Sequence, residues 1–301
     1  MKKLILSASI IALLASCSTV KKTTEMATIT EGDALKYAAT ITEKDLAKHL
    51  FIYASDEFEG RNTGEPGQKK ASKYLKDFYV AQGIASPLGG DDYYQEVPAE
   101  FLNQRKRSTP LKASENVVAF IKGSEKPDEI VVISAHLDHV GMRNGKIYNG
   151  ADDDGSGTVA IWEIAEAFQK ATKDGKGPKR SVLFLHVTGE EKGLLGSRYY
   201  VENPIFPIAN TVVDLNIDMV GRIDDRHKDN PNFVYLIGAD KLSTELHDLS
   251  EAVNAKYTNI SLDYKYNDEK DPNRFYYRSD HYNFAKYNVP IIFYFNGTHE
   301  D

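Results

Sequence analysis

Cysteine is almost missing from this sequence: Cys17 stands alone among 301 residues. A single thiol excludes any internal disulfide. An excess of positive charge is missing too. The chain has 37 Lys and Arg against 44 Asp and Glu, a formal net charge of −7, so it has no electrostatic reason to bind nucleic acid. Long apolar runs are equally scarce. Beyond the first 15 residues no stretch is long enough to cross a bilayer. No internal repeat and no shift in composition marks a second domain. What is present is ordinary for a globular protein: 41% hydrophobic and 27% charged residues, with 21 Gly and 11 Pro. The length suits one large domain, or one domain with a small appendage.

The N-terminus reads as an address. Met1-Lys2-Lys3 is a short basic segment, and Leu4 to Ala15 is mostly apolar, too short for a span but suited to a signal peptide. Leu14-Ala15-Ser16-Cys17 resembles a bacterial lipobox, in which the cysteine is lipidated and becomes the new N-terminus. The expected organisation is a lipoprotein signal over 1–16, a lipidated cysteine and polar, Thr-rich tether over 17–42, and one domain over 43–301. Losing residues 1–16 removes two lysines and no acid, which takes the balance from −7 to −9. The lipid is then the only expected membrane anchor, and the location a bacterial cell envelope outside the cytoplasm.

Apolar periodicity predicts helices over 45–53, 66–81, 155–170, 194–201, 242–255 and 280–287. It predicts strands over 116–121, 130–135, 181–187, 211–217, 233–237 and 289–295. Strands and helices alternate, which gives an α/β fold with a mostly parallel, mixed central sheet and helices on both faces. The last predicted strand is followed by six residues and no covering helix, so an exposed edge near Phe295 is expected.

Four short stretches carry the chemistry: His136-Leu137-Asp138, Asp152-Asp153-Asp154-Gly155-Ser156-Gly157, Gly189-Glu190-Glu191 and Asn216-Ile217-Asp218. Three of them directly follow predicted strands, and ligands in an open α/β sheet bind beyond the carboxyl ends of the strands. Each has a plain reading. A histidine after a strand is often structural, an acid before a helix caps it, a Glu-Glu pair can be an exposed loop, and Asp218 can cap its strand. Three successive acids nevertheless repel one another, and an acid ending an apolar strand is costly unless paired or metal-bound. One His and several carboxylates at one edge make an N/O metal site, for which zinc is the expected ion. The two glycines are expected to let the backbone pass close to that cation. His49, His139, His186, His227 and His247 read as structural or solvated.

From about residue 46 onward the chain resembles the zinc exopeptidases that include aminopeptidase Y, secreted bacterial leucine-type aminopeptidases and glutaminyl cyclase. The matching stretches run from Ala54-Ser55-Asp56-Glu57-Phe58-Glu59-Gly60-Arg61 through Ser279-Asp280-His281 and Val289-Pro290. The resemblance implies a phosphorylase/hydrolase-like architecture with two zinc ions bridged by Asp153. His136 and Asp218 complete one ion's set, and Glu191 and a final histidine the other's. It implies Glu190 as general base, Asp138 as support for His136, and a cis peptide between Asp153 and Asp154. The family's final histidine lies in a Tyr-His-x-x-Thr-Asp type segment, expected just past Asp301, so the chain reads as truncated and its second zinc as weakly held. The implied activity is that of a monomeric aminopeptidase acting on peptides with a free N-terminus. Glutaminyl cyclase chemistry and a non-catalytic peptide-binding homologue are the alternatives.

Overall fold

The computed structural model describes residues 31–299. The signal segment, Cys17 and the lipobox lie outside the described residues. The domain begins earlier than expected. Glu31–Ala38 form helix α1, inside the stretch assigned to a tether. Tyr37 is buried, and Lys36 and Asp33 pair with Asp174 and Lys176 at 2.7 and 2.6 Å.

Helix α2 (Glu43–Tyr53) starts where the Thr42 hydroxyl accepts from the Asp45 amide. Helix α3 (Pro66–Gln82) carries proline in its first turn and ends at Gly83 in the left-handed region. Strand β1 (Tyr94–Val97), helix α4 (Ala99–Leu102) and strands β2 (Ser114–Ile121) and β3 (Lys126–His136) follow. A small hairpin of β4 (Gly141–Arg143) and β5 (Lys146–Tyr148) precedes helix α5 (Gly157–Lys173). The chain continues through β6 (Arg180–Val187), α6 (Leu195–Glu202), β7 (Thr211–Ile217) and β8 (Phe233–Ile237). It then forms α7 (Thr244–Val253), β9 (Ser261–Asp263), α8 (His281–Ala285) and β10 (Ile291–Phe295).

Eight strands make one mixed sheet in the order β1-β2-β6-β3-β7-β10-β8-β9. Its centre, β6-β3-β7-β10, is parallel, and β2 and β8 join it antiparallel. Strand residues alternate between two cores. Val117, Ile133 and Phe184 face α2, α3 and α5, while Val118, Val132, Leu183 and Leu185 face α6 and α8. The sole tryptophan, Trp162 on α5, is fully buried among Tyr53, Tyr74 and Phe78, at centroid distances of 5.2 to 5.4 Å. The expected edge at Phe295 is not one. β10 lies between β7 and β8, and Phe295 is buried against Phe275 and Phe293.

Candidate metal centre

Three adjacent parallel strands end together, and their ends deliver the polar residues. His136 is the last residue of β3, Asp218 follows β7, and Glu190 and Glu191 sit in the turn after β6. Asp153 comes from the turn before α5, and its bond to Asp154 is cis, as the resemblance implies. Two groups of possible ligands result. His136, Asp153 and Asp218 form one, and His139, Asp153 and Glu191 the other, each with its ligand atoms within 4.8 Å of one another. Asp153 belongs to both.

In the first group His136 Nε2 lies 3.0 Å from Asp153 Oδ1 and 3.5 Å from Asp218 Oδ1. His136 Nδ1 lies 2.9 Å from the Asp138 carbonyl oxygen. A carbonyl only accepts, so Nδ1 carries a proton, and Nε2 is the ring atom that faces the two carboxylates. Asp218 is held from behind by the Ser279 hydroxyl, which donates to Oδ2 at 2.6 Å. Burial alone would lower His136, but Asp218, Glu190 and Asp153 raise it well above its ordinary value.

The Asp138 carboxylate does something other than expected. It accepts from the Thr63 hydroxyl at 2.6 Å and from the Glu190 amide at 3.1 Å, while its backbone carbonyl orients His136. It therefore fixes the start of the Glu190-Glu191 turn. Burial pushes the Glu190 carboxyl well above the carboxylate range, with His136 opposing.

The three consecutive aspartates divide. Asp154 is fully buried and accepts from the amides of His136, Gly157 and Met219. Asp152 accepts from the Gly221 amide, Arg222 and Asn296. Asp153 alone faces both groups of ligands. The glycines serve packing, not approach to a cation. A Cβ at Gly157 would stand 2.4 Å from the Ile217 carbonyl and 2.5 Å from Asp154 Oδ1.

His139, read from the sequence as structural or solvated, is the correction of most consequence. Its Nδ1 lies 2.8 Å from Glu191 Oε1 and 3.9 Å from Asp153 Oδ2. Two features aim it there. The Arg61 carbonyl takes the His139 amide, and Gly150, with φ of 55°, leaves the space its ring occupies. A Cβ at Gly150 would lie 2.4 Å from His139 Cγ. Arg61 was also missed as an organiser. Its buried guanidinium donates to the carbonyls of Tyr53, Leu137, Asn149 and Gly150, tying the strand end to the loop before Asp153. The sequence signal for His139 is its place three residues past His136 on the same strand exit. His281 and His299 join neither group: His281 Nε2 lies 2.8 Å from the Tyr276 carbonyl, and His299 Nε2 lies 3.3 Å from Asp152.

A cleft of about 680 Å³ opens beside the site, lined by Leu50, His139, Tyr148, Gly150, Asp153 and Met219 among others. Among the described residues no helix is long and apolar enough to cross a membrane.

The chain is similar to a probable glutamate carboxypeptidase of Arabidopsis thaliana, with 35% identity over 111 residues, 36% of this chain and 15% of that protein. It thus spans a small part of the length of that curated relative. Among solved structures it is similar to LapB from Legionella pneumophila, with a TM-score of 0.65 and 18% identity over 89% of this chain and 65% of that one. It is also similar to a Zn-dependent exopeptidase from Parabacteroides distasonis, with a TM-score of 0.60 and 17% identity over 86% of each chain. These likenesses concern the fold. The sequence description of Peptidase family M28 matches residues 116–301, which hold every member of both ligand groups, and with more than half its length matched this chain belongs to that family.

Proposed function

We propose that this chain is a zinc-dependent aminopeptidase whose general base is Glu190. The observation that carries the reading is the pair of N/O ligand groups sharing Asp153 at the carboxyl edge of the sheet. Their donors fit zinc, which takes imidazole nitrogen and carboxylate oxygen. The orphaned atoms fit as well: His139 Nδ1 and Glu191 Oε1 are buried, close, and without a hydrogen bond. Two ligand atoms aimed at one another without hydrogen-bond geometry are an arrangement that a shared cation would satisfy.

In this reading His136, Asp153 and Asp218 hold one ion, and His139, Asp153 and Glu191 a second. His139 thus joins a set that the sequence reading left as two carboxylates. Zinc in such a site supplies Lewis acidity toward water and a substrate carbonyl. Glu190 takes the proton from the attacking water and passes it to the departing amine. Asp138 keeps Glu190 in register by holding its amide. The negative charge concentrated at this edge favours substrates that present a free N-terminal ammonium. Nothing in the comparisons favours cyclase chemistry. Cys17 as a lipid anchor belongs to this proposal, and fatty-acid labelling of wild type against Cys17→Ala tests it.

Zinc content by mass spectrometry together with hydrolysis of an aminoacyl-anilide and its N-acetylated form tests the main reading. Zinc retention with cleavage of the free amine alone is expected. Equal cleavage of both would sink the aminopeptidase assignment, and absence of tight zinc would sink the whole reading.

A further inference from the structure

We propose that the cavity between α4, α6 and the turn after Glu191 is an anion site, sized for a compact oxyanion such as phosphate. The chain carries a net charge of −7, yet five cations, Arg105, Arg107, Lys192, Arg198 and Lys286, line this one cavity, and no acid does. Its volume is about 130 Å³, enough for about four water molecules at roughly 30 Å³ each, which suits a tetrahedral oxyanion. Phe101, Leu102 and Leu195 form an apolar floor. A floor of that kind lowers the local dielectric and makes each charge count for more.

Three of the cations are held in place largely by neutral groups. Arg107 donates to the carbonyls of Leu102 and Lys192. Arg198 lies 4.4 Å over the Phe101 ring and donates to Gln104 Oε1 at 2.7 Å. Lys286 donates to Asn283 Oδ1 at 2.7 Å. Glu202, 3.7 Å from Arg198, is the one carboxylate in ion-pair range of any of the five among the described residues. Arg198 Nε is buried and has no hydrogen-bond partner. The ordinary fate of surface cations is to spread into solvent. Here neutral acceptors pin three of them around a cavity, and Glu202 offsets only part of their repulsion. Lys286 shows this, being lowered first by burial and then by the charges of Arg198 and Arg105, with Glu202 opposing. An oxyanion would accept from several of these donors at once through charge-assisted bonds.

The site also touches the catalytic turn. Lys192 directly follows Glu191, and the amides of Gly193 and Leu194 both donate to the Glu190 carbonyl, at 2.8 and 2.9 Å. An anion drawing on Lys192 and Arg107 therefore braces the segment that carries Glu190 and Glu191.

Isothermal titration of inorganic phosphate into the full-length, zinc-loaded protein tests the proposal. Arg105→Met/Lys286→Met is the test variant. Both residues are exposed, so the fold should persist, and circular dichroism checks that. The double variant should weaken phosphate at least about tenfold, given the worth of charged hydrogen bonds. Lys286→Arg should keep it. Rising salt should weaken the wild type and affect the double variant much less. Unchanged affinity in the double variant, or phosphate binding that vanishes on zinc removal while ignoring these substitutions, overturns the proposal by placing the anion at the metal centre. No phosphate heat from wild type in the millimolar range overturns it too. None of these readouts depends on peptidase activity, so this proposal and the aminopeptidase reading fail separately.

Discussion

At the scale of single residues, the site works by giving chemically alike neighbours different partners. Asp152 and Asp154 spend their oxygens on backbone amides and on polar side chains, which leaves Asp153 with capacity for a cation. Glu190 and Glu191 divide in the same way: the Glu190 amide is fixed by Asp138, while Glu191 faces His139. The proposed roles follow from these surroundings. Glu190→Gln keeps shape and removes the proton acceptor, so it should retain zinc while losing about 10²- to 10⁴-fold in turnover. Loss of metal along with activity would make Glu190 a ligand instead. His139→Ala removes the only nitrogen of the second group, and should lower bound zinc toward one ion per chain while leaving the first ion in place. Cobalt substitution read by visible absorption checks this: an unchanged spectrum and stoichiometry would return His139 to a structural role.

At the scale of elements, the packing of α2 on α5 contains a weak point. Glu163 on α5 is buried, its Oε1 makes no hydrogen bond, and the His49 imidazole on α2, which burial holds toward its neutral form, lies 3.9 Å away. Burial first, then Glu166 and Asp45, push the Glu163 carboxyl from its ordinary 4.5 up to about 7. Between those two values the native state holds a proton that the unfolded chain has released. The stabilising contribution is therefore complete at pH below the lower value and is lost as pH rises through the upper one. Glu163→Gln should raise the urea midpoint in mildly alkaline buffer and leave it nearly unchanged in acid below the ordinary carboxylate range. An equal gain under both conditions would show that packing, not titration, is responsible.

Elements also differ in how far the sequence reveals them. β7 and β8 are found over their full observed ranges because their apolar, β-branched runs stand out from the polar segments around them. Tyr94–Val97 and Ser261–Asp263 are not, since these edge strands are three or four residues long, mix polar with apolar side chains, and take their conformation from the neighbour they pair with. Pairing order is hidden for a related reason. β2 and β3 are consecutive in sequence, yet β6 lies between them, and only contacts across the sheet select it. That His136, Asp153, Glu191 and Asp218 come together at one edge was legible because their segments follow a strand or precede a helix. His139 was not, because Arg61 and Gly150, distant in sequence, aim it.

At the scale of the whole molecule, the candidate metal centre concentrates acids that a cation would relieve. Asp153, Glu190, Glu191 and Asp218 crowd two imidazoles where three strands end. Because ions that bind only the folded state stabilise it by mass action, zinc should raise the melting temperature in a concentration-dependent way and a chelator should lower it. A melting temperature indifferent to zinc would contradict a folded-state site. The sheet's connectivity has a further consequence, for timing. Ile291–Phe295 comes last in chain order among the described strands, but it occupies an interior position, hydrogen-bonded to β7 on one side and β8 on the other. Until those five residues leave the ribosome, β8 and β9 have no sheet to join, and the Asp218 amide lacks its acceptor on Tyr294. The candidate metal-binding edge therefore cannot be completed strand by strand as the chain emerges; it closes only once Ile291–Phe295 has been delivered, some seventy residues after Asp218.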